Sequence, residues 1–211
     1  MIAALMICKD RLEYSRKAYE ALKNSDVDEI HIVYNPSNDG TYAWLKISVT
    51  GYGTLIHTGD GTIAGAFNLF LEQVSHWMKP AEFMIKVDND TIIPPDFCAR
   101  MLPHMQHADI VQARHKLIPA SGVGTFDQWT SKMPAQGALR FNNFVGGTGV
   151  MMRRSVLTPW PTDTGLLMAW REWQRQNPNV KKAFATDVDI TLLDEHGYGD
   201  YPDYYKQTGR L

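Results

Sequence analysis

The sequence predicts an α/β protein: one domain with a mostly parallel central sheet flanked by helices. Three observations lead there. Short apolar runs of strand length alternate with segments of helical periodicity. Two of the runs stop abruptly in turn-forming or acidic clusters. The 211 residues, 44% hydrophobic and 21% charged, suit one core and leave two domains cramped.

The elements follow in order. Residues 2–8, IAALMIC, are apolar throughout, as in a strand covered on both faces. This run lacks a basic leader and stops at Lys9-Asp10, so it does not read as a signal peptide. No segment reaches bilayer-spanning length, so no membrane insertion and a cytoplasmic location are expected. Over residues 10–22, Leu12, Tyr14, Ala18, Tyr19 and Leu22 recur at helical intervals. EIHIVYN is the second strand and ends in the turn formers PSNDG. Residues 61–78 place Ile63, Ala66, Phe67, Phe70, Leu71, Val74, Trp77 and Met78 on one helical stripe, closed by Pro80. EFMIKV is a further strand and runs straight into Asp88-Asn89-Asp90. Pro94-Pro95-Asp96 then opens a helix carrying Phe97, Met101, Leu102 and Met105. Residues 109–113 form another short strand, and residues 116–136 read as a long loop.

Composition excludes disordered and fibrous classes. Cys8 and Cys98 are too few for a disulfide framework and read as buried small residues in a reducing compartment. The formal net charge of -2 argues against a nucleic-acid coat, but it is unevenly spread. Residues 1–99 hold 8 basic and 13 acidic residues, residues 100–182 hold 11 and 4, and the remainder 2 and 6. An acidic half therefore precedes a basic one.

In open α/β sheets ligands gather beyond the carboxyl ends of the strands, where Asp88-Asn89-Asp90 would lie. Two carboxylates one residue apart can hold a hard divalent cation and leave positions for substrate phosphates. The same residue types also serve as turns and caps.

Five segments, in order, carry a resemblance. VYNPSNDGT at 33–41, GTIAGAFNLFLEQ at 61–73, FMIKVDNDTIIPPDF at 83–97, FVGGTGVMMRRSVL at 144–157 and ATDVDITLLDEHGYG at 185–199 together resemble GT-A fold glycosyltransferases, particularly family-2-like inverting enzymes. The resemblance implies a single Rossmann-like GT-A domain over 1–211, with a nucleotide-sugar and metal half at 1–99 and an acceptor half at 100–211. It implies transfer of a sugar from a nucleoside diphosphate, most commonly UDP, to an acceptor hydroxyl. Mn²⁺ or Mg²⁺ at Asp88 and Asp90 would neutralise the leaving diphosphate. Lys9, Arg11, Asp39, Asn68, Asp88 and Asn89 would face the donor. Gly146, Gly147 and Asp189 would lie on the acceptor side, and Asp187 would be the general base. The last segment resembles a helix in the family, and helix capping is the alternative for Asp187.

Departures from the family pattern are visible. Tyr34 stands where an Asp commonly reads uracil, Phe67 precedes Asn68 where Arg is usual, and Thr186 replaces the Glu before the base. No His follows Gly199, so a third metal ligand from the tail would have to be Asp200 or Asp203. Gly146, Gly147 and Gly149 suit either close approach of substrate or a tight turn. The histidines, His104 included, show no metal spacing and read as surface or core residues.

The acceptor half interleaves Arg140, Arg153, Arg154, Arg171, Arg175, Lys181 and Lys182 with Trp129, Trp160, Trp170 and Trp173. Such a face suits glycan stacking or, as an alternative, a hydroxymethylated base in DNA. Trp170 and Trp173 at helical spacing also fit a core. A sugar-nucleotide pyrophosphorylase would need a glycine-rich loop after the first strand, and MICKDRLEY has none. A non-catalytic sugar-binding module is the remaining rival.

Overall fold

A computed structural model of the chain describes residues 1–49, 53–57, 62–77, 81–115, 126–161 and 166–193. β1 (Ile2–Cys8) has a parallel strand on either side and helices on both faces, and for that reason all seven of its residues are buried. β2 (Glu29–Tyr34) and β3 (Gly53–His57) extend the sheet on one side, and β4 (Phe83–Asp88) flanks β1 on the other, all in parallel. β9 (Val150–Arg153) then runs antiparallel between β4 and β6 (Ile110–His115), with Lys86 opposite Val150. β10 (Lys182–Leu192) runs parallel to β6, and β8 (Leu139–Phe141) and β7 (Ala135–Gln136) complete that edge. β5 (Thr91–Ile92) pairs apart from this path with the end of β10, Thr91 opposite Leu192. The result is a mixed, mostly parallel sheet whose principal strands present their carboxyl ends along one edge.

Alternating residues of the strands supply two apolar layers. Ala4, Met6, Ile85, Val87 and Ala113 pack with α1 (Leu12–Lys23) and α4 (Phe97–Met101). Leu5, Ile7, Met84, Val150 and Phe184 pack with α3 (Ile63–Trp77) and α6 (Leu166–Gln176). Both cysteines are buried, as expected. No described helix is long and apolar enough to cross a membrane.

Several elements differ from the expectation. α1 starts two residues late because Asp10 (φ 53°) and Arg11 (φ 62°) are both left-handed. α2 (Thr41–Ser48) and β3 were not legible: Leu45 and Thr41 are the buried residues of α2, while Ile47 is exposed. The helix over 61–78 is found as α3, with Gly61 and Met78 outside the described residues. The helix after Pro94 breaks early, because Pro103 cannot donate the next backbone bond. Met105 reaches the core from a 3₁₀ turn instead. Of the expected loop, 116–125 lie outside the described residues, but Phe126–Thr130 form α5 and Ala135–Gln136 form β7.

The segment expected as a helix around Asp187 is corrected to strand. Val188 and Ile190 are buried while Asp187, Asp189 and Thr191 are exposed, a period of two. The register with β6 jumps between Ala185 and Asp189, a bulge that holds Asp187. Helix capping therefore falls away as its alternative role.

The aromatic acceptor face is corrected too. Trp160, Trp170 and Trp173 are buried in a column with Phe67, with successive ring centroids 4.0, 4.9 and 5.3 Å apart. Only Trp129 of the four is open, at 37% exposure. Asn68, expected to face the donor, is tied to this column. Its Nδ2 donates to Trp160 O at 2.8 Å, and its Oδ1 accepts from Trp160 N at 2.6 Å.

Gly149 is required for packing. Its φ is +60°, and a Cβ there would lie 2.3 Å from Ile190 Cδ1. Gly149→Ala is expected to lower unfolding free energy by about 2–5 kcal/mol, from left-handed strain plus overpacking, read as a shift in urea midpoint.

Candidate active site

The site grows from the end of β4. Asp88 N–H donates to Thr148 Oγ1 at 2.9 Å, and Thr148 Oγ1 meets Thr91 Oγ1 at 2.7 Å, which aligns the strand end with the segment before β9. Asp88 Oδ1 accepts from Lys86 Nζ at 2.6 Å, and the same ammonium donates to Gly147 O. The Lys86 side chain is only 3% exposed, so these partners are what make its charge tolerable there. Asp90 Oδ2 accepts from Arg11 Nη1 at 2.7 Å.

Asn89, expected to face the donor, is buried with its amide nitrogen turned to the loop after β1. Its Nδ2 lies 2.9 Å from Asp10 O, 2.9 Å from Ser15 Oγ and 3.3 Å from Lys9 O. It thereby fastens the loop after β1, where two successive non-glycine residues are left-handed at a cost of about 1–2 kcal/mol each. Lys9 belongs to this loop, and the fastening brings Arg11 to Asp90.

Asp39 joins the turn after β2 to the start of α1. Its Oδ2 accepts from Leu12 N at 2.9 Å, and its Oδ1 accepts from Thr41 Oγ1 at 2.6 Å, Thr41 N at 3.1 Å and Ser37 Oγ at 3.2 Å. Burial works against ionisation, but the Thr41, Leu12 and Ser37 hydrogen bonds outweigh it and hold the carboxyl below its ordinary value. A folded-state value below the unfolded one gives stability that is present above the unfolded pKa and is lost as pH falls through the folded pKa. Asp39→Asn is therefore expected to lower the melting temperature at pH 7, with the gap to wild type closing below the ordinary carboxylate range in melts run across pH. Tyr34, beside this turn, stacks on Tyr42 at 5.0 Å, and its hydroxyl accepts from Ser37 N at 2.8 Å.

On the other side, Gly146 N donates to Gln112 Oε1 at 2.5 Å, and a Cβ on Gly146 would meet Gln112 Nε2 at 2.6 Å. Tight packing against the protein accounts for Gly146 and Gly149. Gly147 instead contributes its carbonyl to Lys86. In the β10 bulge, Asp187 Oδ1 lies 2.9 Å from His104 Nε2, and the Arg100 guanidinium donates to Asp187 O. Asp187 keeps 54% side-chain exposure. Asp189 is engaged differently: Arg114 grips it with Nε to Oδ1 at 2.5 Å and Nη2 to Oδ2 at 2.9 Å, and also reaches Asp127 at 3.4 Å. The Asp189 hydrogen bond holds the Arg114 guanidinium further above its ordinary value.

The sequence pattern described as Glycosyl transferase family 2 matches residues 4–158, well over half of the chain. The chain belongs to this family. Its fold is GT-A, shared with TarS 1-349 of S. aureus (TM-score 0.67, 15% identity, covering 94% of this chain and 62% of that one). The complex of TarS 1-349 with UDP-GlcNAc gives TM-score 0.68 at 15% identity over 90% of this chain and 57% of that one. A mannosyltransferase, PcManGT from Pyrobaculum calidifontis in complex with GDP-Man and Mn²⁺, gives 0.68 at 16% identity over 95% and 59%. The family 2 chain thus spans about three fifths of the length of these neighbours. Comparison with curated protein sequences finds no match.

For the family 2 chain, Asp88 and Asp90 offer hard oxygen donors that suit Mn²⁺ or Mg²⁺. Among the described residues no group of three or more His, Cys, Asp or Glu side chains converges on one point. A cation held by this pair alone would keep coordination positions open for other ligands. Asp200 and Asp203 lie outside the described residues. Sequence reasoning missed Lys86, His104, Arg100 and Arg114. Lys86 had a signal, as a lone charge inside an apolar strand. The other three are brought in by tertiary packing against β10.

Proposed function

We propose that the chain transfers a sugar from a nucleoside-diphosphate sugar, most simply a UDP-sugar, to an acceptor hydroxyl, dependent on a divalent cation and with inversion. The observation that carries this reading is the pair Asp88 and Asp90 at the carboxyl end of β4, set beside Arg11 and Lys86. A cation bound there would supply Lewis-acid stabilisation of the leaving diphosphate. Asp39 and Asn89 shape the donor side by fixing the loops that carry Lys9 and Arg11. Asp187 takes the proton from the acceptor hydroxyl, with His104 orienting its carboxylate.

A donor screen by thermal shift tests the reading, because a ligand that binds the native state alone raises stability by about 2.7 kcal/mol at a hundredfold excess over Kd. UDP- and GDP-sugars are compared with and without Mn²⁺, and the anomeric configuration of the product is read by NMR. Stabilisation by a nucleotide sugar only with Mn²⁺, followed by transfer with inversion, is the expected result. No response to any donor would sink it, and binding with no turnover on any acceptor would favour a sugar-binding module.

The acceptor is best read as a glycan or other small hydroxyl compound. The DNA reading drew on tryptophans interleaved with basic residues, and three of the four are core. Of the basic residues, Arg153 donates to Met105 O and Lys182 to Asn177 O and Val180 O. Transfer to hydroxymethylated DNA that falls steeply with salt would reverse this order.

A further inference from the structure

Each acid of the Asp88 and Asp90 pair already faces a cation supplied by the chain, and the two cations are built differently. Lys86 is buried in the strand and also bonded to Gly147 O, so it belongs to the frame. Arg11 stands on a loop held in the left-handed region. Its Nη1 is 2.7 Å from Asp90 Oδ2, with side-chain exposures of 17% and 15%. Its guanidinium also lies 5.4 Å from the centroid of the Tyr14 ring, a second surface suited to a planar cation. At such low exposure the pair is screened far less than a surface ion pair. A divalent cation ligated by Asp90 would compete with the guanidinium for the same carboxylate charge and, at that range, would repel it.

We propose that Arg11 is a resident counter-cation of Asp90 that an incoming divalent cation must displace. The free chain then binds metal weakly, metal enters together with the donor, and the released guanidinium turns to the diphosphate, whose oxygens it can fork. This inference rests on the metal and donor reading above and adds the order in which the site is filled. Arg11 acts as a gate on metal affinity, a role that a merely structural arginine would lack.

The test measures Mn²⁺ binding without donor, by the electron paramagnetic resonance signal of the free aqua ion, in wild type, Arg11→Gln, Arg11→Lys, Asp90→Asn and the exposed control Arg16→Gln. Melting curves on each variant exclude misfolded samples. Removing the competing charge-assisted bond is expected to tighten Mn²⁺ binding by Arg11→Gln about tenfold or more. Arg11→Lys should fall back toward wild type, and Arg16→Gln should match it. UDP binding in the presence of Mn²⁺ should weaken in Arg11→Gln, opposite in sign to the metal effect. Equal or weaker Mn²⁺ binding by Arg11→Gln, with binding still lost in Asp90→Asn, overturns the gate and leaves the metal site standing. No Mn²⁺ bound by any variant, with or without UDP, overturns the metal reading itself and the gate with it.

Discussion

Asp90→Asn is expected to lower kcat/KM for transfer by about 10²–10³-fold at saturating Mn²⁺, the loss typical of removing one element of transition-state charge stabilisation. The substitution keeps the shape of the side chain and one oxygen that can accept from Arg11, so the loop after β1 should stay in place. It does leave the Arg11 charge less well compensated in a mostly buried setting, at a cost of about 1–3 kcal/mol in stability. Activity and melting curves therefore separate the two effects. A variant that melts a few degrees lower yet transfers within threefold of wild type would remove Asp90 from the metal site.

Asp187→Asn carries the second large effect. With Asp187 as the proposed general base, its loss is expected to lower kcat by about 10²–10⁴-fold with donor KM unchanged, because the proposed task of that carboxylate, held by His104, is to take the acceptor proton. Its side chain is more than half exposed, so stability should hardly move. Asp189→Asn is the contrast. That carboxylate is gripped by Arg114, so its loss should register in the melting curve more than in kcat. The reverse pattern, with kcat lost in Asp189→Asn and kept in Asp187→Asn, would move the base two residues along β10.

The parts of the fold that were legible in sequence are those where burial alone dictates residue type. β1 and β4 are covered on both faces, so they read as apolar runs, interrupted in β4 by Lys86 and the terminal Asp88 at the candidate site. α3 was legible from its stripe. α2 was not, because its burial rests on Leu45 and Thr41 while Tyr42 and Ile47 stay in solvent. β10 is a strand although its sequence resembles a helical motif, because Val188 and Ile190 alternate with Asp187 and Asp189 at a period of two. In the site, the acids were legible as a motif, but their surroundings were not. Asn89 and Asn68 look alike as polar residues in matching segments, and only tertiary packing shows that one fastens a loop and the other ties α3 to Trp160.

The antiparallel strand between β4 and β6 has a consequence for how the chain assembles. Lys86 finds its sheet partner at Val150, so β4 and the parallel strands beside it keep an open edge until the chain has been made as far as Arg153. Such long-range pairing incurs its loop-closure entropy before any contact offsets it, and it slows folding. A fragment ending near residue 99 would present β4 as a bare, apolar edge to other copies of itself. A division into donor and acceptor halves near residue 99, as proposed from the sequence, would thus not be a folding boundary, because the sheet closes once, and late.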